Sequence, residues 1–126
     1  MTPRKILAAL RVTIPRVSPA DCAEQIRTGN AVLVDVRERN EWQRGFAETA
    51  VSIPLSDLSR SQVDFDALRQ TFGDRELILY CGAGVRSNLA ARILRAEGFR
   101  ASNGGALSEW TASGWPIVEP AEPNSK

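Results

Sequence analysis

Short apolar runs alternate along this chain with segments whose apolar residues recur at helical spacing. Ala31-Val-Leu-Val-Asp-Val36 and the run Glu76 to Tyr80 are nearly continuous in apolar character, as expected of strands covered on both faces of a parallel sheet. Val12 to Val17 offers a shorter first strand, which Pro15 marks as an edge. Phe99 to Ser102 reads as a last short strand.

Between these runs the period changes. Ser18-Pro19-Ala20-Asp21 combines a capping serine, a proline suited to the first helical position and a first-turn acid. Ile26 lies one turn after Cys22, so Cys22 is expected to face the core, and Gly29-Asn30 ends that helix. A short helix is expected from Glu38 to Arg44 around Trp42, stopping at Gly45, and a helical turn from Leu55 to Leu58. Phe65, Leu68 and Phe72 share a face ahead of Gly73. From Ser87 to Glu97, Leu89, Ala90, Ile93 and Leu94 form one face and Asn88, Arg92 and Arg95 the other, with Gly98 as the stop. Strands alternating with helices imply an α/β domain with a parallel sheet covered on both faces, and a site beyond the carboxyl ends of its strands.

With 126 residues this is one domain, expected over 13–118, with a basic N-terminal extension at 1–12 and a flexible C-terminal tail at 119–126. Sixteen basic and fifteen acidic side chains leave a net charge of +1, which points to no nucleic-acid partner. The absence of histidine excludes Ser-His and Cys-His pairs within the chain and removes the commonest zinc ligand; no metal or other cofactor is expected. Two cysteines are too few for a disulfide scaffold and fit a reducing, cytoplasmic setting, although counting alone leaves a Cys22–Cys81 bridge open. The apolar stretch Ile6 to Leu10 is too short for a secretory signal or a membrane span. Oligomeric state is not legible.

The one candidate for covalent chemistry is Cys81. It stands where a strand ends and a glycine-bearing loop, Gly82-Ala83-Gly84-Val85-Arg86-Ser87, leads into a helix. A thiol becomes a nucleophile as the thiolate, and a helix N-terminus or nearby cation lowers its pKa. Small residues at 82–84 let successive N–H groups turn inward around an anion, and Arg86 adds a planar, charged fork of donors.

Tyr80-Cys-Gly-Ala-Gly-Val-Arg-Ser87 resembles the active-site loop of the single-domain rhodaneses, which are sulfurtransferases. Cys81 to Arg86 spans six residues; the related cysteine phosphatases and arsenate reductases have one more residue in this loop. Three further stretches resemble the family in the same order: Val34-Asp35-Val36-Arg37-Glu38, Ala50-Val-Ser-Ile-Pro54, and Asn103-Gly104-Gly105 before the helix bearing Trp110. Phe46 departs from the pattern, which has histidine there. The resemblance covers about residues 13–118 and implies a three-layer rhodanese-like fold, with a central, mostly parallel five-stranded sheet and helices on both faces. It implies that Cys81 carries the sulfur as a persulfide, that Gly82, Ala83, Gly84, Val85, Arg86 and Ser87 bind substrate, and that Asp35 and Arg37 support the site. The implied partners are a small-molecule donor, thiosulfate or a persulfide, and a thiol, cyanide or protein-thiol acceptor. A non-catalytic docking or redox-sensing module of the same fold is the alternative from another class, and a cysteine phosphatase or arsenate reductase the third.

Overall fold

The computed structural model describes residues 13–60 and 62–121. The extension at 1–12 and the end of the tail, 122–126, lie outside the described residues. Helix α1 (Pro19–Arg27) begins on a reciprocal cap in which Ser18 and Asp21 hold each other's backbone N–H groups. Then follow β1 (Ala31–Asp35), α2 (Arg39–Trp42), β2 (Phe46–Ala47), β3 (Val51–Ser52), α3 (Leu55–Ser59) and α4 (Phe65–Phe72). The chain continues through β4 (Glu76–Cys81), α5 (Val85–Ala96), β5 (Ala101–Ala106), α6 (Leu107–Ala112) and β6 (Ile117–Val118).

Strands β3, β1, β4 and β5 form, in that order, a parallel sheet. Alternate side chains of its strands feed two cores, because successive residues point to opposite faces. Val32, Val34, Leu77, Leu79 and Cys81 pack with Leu58, Phe72, Ala90 and Leu94 of α3–α5. Leu33, Ile78 and Tyr80 pack on the other face with Cys22 and Ile26 of α1, Trp110 of α6 and Trp115. The three layers expected from the pattern are present. Among the described residues no helix is long and apolar enough to cross a membrane.

Among the described residues the sheet has four strands where five were expected. Of the proposed first strand, residues 13–17 contribute one parallel bridge, Arg16 to Asn103, held by Asn103 N–H to Pro15 O and Val17 N–H to Asn103 O. Pro15 has no N–H to extend the ladder, and the α1 cap follows at once. A small antiparallel pair, β2 with β6, stands apart from the main sheet. The last strand is also longer than Phe99 to Ser102: it runs to Ala106 and contains both glycines of the Asn103-Gly104-Gly105 stretch. The register shifts there, Leu79 opposing Asn103 and Tyr80 opposing Gly105, so Gly104 is the extra residue of a bulge. A Cβ on Gly104 would lie 3.0 Å from Ile78 Cγ2 and 3.1 Å from Leu79 O, so only glycine lets the strands close up.

At the carboxyl end of β1, Asp35 is fully buried and meets its needs within the fold. Its Oδ2 accepts from Arg37 Nη2 and from the Tyr80 hydroxyl, each at 2.7 Å, while Oδ1 accepts from Arg37 N and Nε. Arg37 Nη2 also donates to Gly45 O, and the Tyr80 oxygen accepts from Ala47 N–H. The network ties β1 and β4 to the Gly45–Ala47 segment. Removing one partner of a buried pair leaves the other charge uncompensated, at about 3–5 kcal/mol. Asp35→Ala is therefore expected to cost about that much in urea unfolding; a loss below about 1 kcal/mol would show that water replaces the pair freely.

Candidate active site

Cys81 closes β4, and the chain turns at once because Gly84 adopts φ +90°, the left-handed conformation that favours glycine. The turn starts α5 at Val85, two residues earlier than the apolar pattern indicated, so Val85, Arg86 and Ser87 form its first turn. Free N–H groups of that first turn and of the loop then face the thiol. Gly84 N–H donates to Cys81 Sγ at 3.0 Å and Ser87 N–H at 3.3 Å. The packing behind the loop is close: a Cβ on Gly84 would lie 3.5 Å from Gly105 Cα, so glycine meets glycine where loop and β5 touch.

Burial pushes the Cys81 thiol up, since an anion is disfavoured away from water. Hydrogen bonds from the Ser87 side chain and from the backbone of Ser87, Ala83 and Gly84 outweigh it, and the net direction is down. The Ser87 hydroxyl has one hydrogen to give. With the thiol protonated, Sγ–H points to Ser87 Oγ at 3.4 Å, and Ser87 O–H donates to Asn103 Oδ1 at 2.7 Å. On ionisation the hydroxyl can turn to the sulfur without orphaning Asn103 Oδ1, which still accepts from Gly105 N–H at 2.9 Å. Asn103 Nδ2 donates to Gly84 O at 3.0 Å, so one side chain steadies both the loop and its serine.

Of the residues singled out from sequence, Cys81, Gly84 and Ser87 meet at the sulfur. Gly82 and Ala83 are exposed at the loop mouth, as is Val85, 75% accessible. Arg86 holds its fork on Glu41: Nη1 lies 2.5 Å from Oε1 and Nη2 3.0 Å from Oε2. Asp35 and Arg37 make their contacts with each other, Tyr80 and Gly45. Cys22 lies in the core on the opposite face of the sheet from Cys81, donating to Ser18 O, and burial pushes its thiol up to about 11. Both cysteines are free, and their opposite faces rule out the bridge that counting left open.

Three contributors were missed. Tyr80 carried a signal, because a tyrosine in a buried strand must find a partner for its hydroxyl. Glu41 and Asn103 carried none, since only the fold brings them to residues 45 and 16 positions distant. Phe46, in place of the family's histidine, stacks on Trp42 with ring centroids 3.6 Å apart and fixes α2, the helix that bears Glu41.

The family model for the rhodanese-like domain matches residues 18–113. The chain is 31% identical over 108 residues to the HTH-type transcriptional regulator Rv0324 of Mycobacterium tuberculosis, covering 83% of this chain and 45% of the regulator. It is 29% identical to the thiosulfate:glutathione sulfurtransferase of Homo sapiens, covering 76% of this chain and 92% of that protein. A rhodanese-related protein from Thermoplasma volcanium superposes with a TM-score of 0.68 at 27% identity, over 82% of this chain and 97% of that one. Among the first curated relatives it matches, the chain spans only 45%, 27% and 20% of their lengths.

The lowered thiol gives a direct expectation. Alkylation of Cys81 by iodoacetamide should rise with pH around a midpoint below the ordinary cysteine value of 9.0, because reactivity follows the thiolate. Ser87→Ala should move that midpoint upward. A midpoint at or above 9.0 in the unmodified protein would mean that burial outweighs the donors.

Proposed function

The chain belongs to the rhodanese-like domain family, and we propose that it is a sulfurtransferase working through a persulfide on Cys81. The observation that carries this reading is the sulfur itself: a buried thiol at the end of β4, lowered in pKa, with loop and helix N–H groups turned onto it. The Cys81 thiolate attacks the outer sulfur of a sulfane donor. The new Sγ–S bond forms as the donor's S–S bond breaks, and the donor leaves as sulfite from thiosulfate or as a thiolate from a persulfide. An acceptor nucleophile, cyanide or a thiolate, then attacks the terminal sulfur and returns Cys81 as thiolate.

In this reading Gly82, Ala83, Gly84, Val85 and Ser87 line the place of the transferred sulfur, and N–H groups of that loop hold its negative charge. Arg86 braces the loop by its fork on Glu41, and Asp35 with Arg37 supports the segment behind it. No general base is required when the thiolate forms on its own. The six-residue loop draws its donors close to Sγ, which suits one sulfur atom better than a tetrahedral oxyanion and supports transfer over phosphate or arsenate chemistry. A reducing compartment such as the cytoplasm suits a site that depends on a free thiol.

Cys81→Ser is expected to abolish sulfur transfer to cyanide, and Cys22→Ser to retain most of it. Mass spectrometry after donor treatment should show one added sulfur on Cys81, with negligible aryl phosphate hydrolysis by the same preparation. Full activity in Cys81→Ser, or aryl phosphate as the better substrate, would end this reading.

A further inference from the structure

Charges at the loop mouth bear on which donors can reach Cys81. Among the described residues two arginines, Arg86 and Arg16, flank the loop, and each is matched by a carboxylate. Arg86 carries both terminal nitrogens on Glu41. Arg16 meets Glu109 beside Gly105, the residue against which Gly84 packs. Glu38 adds a further negative charge acting on Arg86. The exposed loop residues Gly82, Ala83 and Val85 carry no charge.

Glu41 is held in place for this role. Its Oε1 accepts from Glu38 N–H at 3.1 Å, and the stacked pair Trp42 and Phe46 fixes the helix that bears it. The Arg86 hydrogen bond holds its carboxyl down at about 2, against the opposing effect of burial, so it stays ionised at working pH. Arg86 Nη2 lies against the loop at Gly82, 3.1 Å from where a Cβ would stand, in space that only glycine leaves open. A donor that needs the guanidinium must compete with Glu41 for it.

We propose that Glu41 is a specificity-determining residue: by cancelling the charge of Arg86 it disfavours dianionic donors such as thiosulfate and favours persulfides whose reacting end is neutral or singly charged. This rests on the sulfurtransferase reading. With thiosulfate, a dianion must approach a thiolate where, among the described residues, both arginines at the mouth are matched by carboxylates. With a persulfide R–S–SH, the thiolate attacks the outer sulfur, the Sγ–S bond forms, the R–S–SH sulfur–sulfur bond breaks and RS⁻ departs. The proton passes from the transferred sulfur to the departing RS⁻, which leaves as RSH, so the Cys81 persulfide keeps the single negative charge that the thiolate brought.

Two ratios test it in the full chain, each measured for the unmodified protein, Glu41→Gln and Arg86→Gln. The first compares alkylation of Cys81 by anionic iodoacetate with that by neutral iodoacetamide, with the site read by mass spectrometry; it needs no catalysis. The second compares kcat/KM for thiosulfate with that for 2-hydroxyethyl persulfide. Glu41→Gln should raise both ratios about fivefold, the effect of unmasking one half-exposed charge. The second change should lie mainly in KM, and both should shrink at high ionic strength. Arg86→Gln, which leaves the carboxylate unmatched, should lower both. Unchanged ratios in Glu41→Gln, or equal losses with both donors, would overturn the proposal and leave Glu41 as a brace for the loop. A shifted alkylation ratio with no sulfur transfer from either donor would instead sink the sulfurtransferase reading, and the donor preference with it.

Discussion

A thiol buried at the end of a strand ionises readily only where enough hydrogen-bond donors face it to offset lost hydration. The surroundings of Cys81 meet that requirement through backbone geometry. Gly84 reverses the chain in a left-handed conformation, α5 starts early, and two N–H groups converge on one sulfur within 3.3 Å. Close packing of the loop against β5 depends in turn on glycines at 84 and 105, and the bulge at Gly104 sets the register that puts Asn103 below Ser87.

Three polar clusters support this arrangement and differ in how they are exposed. Asp35, Arg37 and Tyr80 are buried together and hold the ends of β1 and β4 to the Gly45–Ala47 segment. Asn103 links Ser87, Gly84 and Gly105 directly behind the sulfur. Glu41 and Arg86 are half-exposed at the mouth, where solvent screens them but an incoming ion still meets them. Position distinguishes them: the first lies in the core at the strand ends, the second directly behind the sulfur, and the third at the mouth.

Phe46 illustrates how a departure from a family pattern is absorbed. In place of an imidazole that could donate or accept, the chain has an aromatic ring stacked nearly parallel to Trp42, at an interplanar angle of 7°. The position then serves packing of α2, and through α2 the placement of Glu41.

Local chemistry made much of this protein legible from its sequence. The continuous apolar runs of β1 and β4, the cap at Ser18, the stops at Gly73 and Gly98, and the strand-loop-helix passage around Cys81 all follow from neighbours within a turn or a strand. The same locality put Cys22 in the core and Cys81 at the loop. What the tertiary structure alone decided are contacts between distant segments. Pro15 cut the first strand to a single bridge because the deciding ladder partner was Asn103. The double glycine became part of β5 because its register is set by β4. Arg86 found its partner 45 residues away, on a helix too short for its pattern to reveal which face it turns to the site. Periodicity reports which face of an element is buried; it carries no information on which polar groups two such elements bring together, as Glu41 and Arg86 are brought together here.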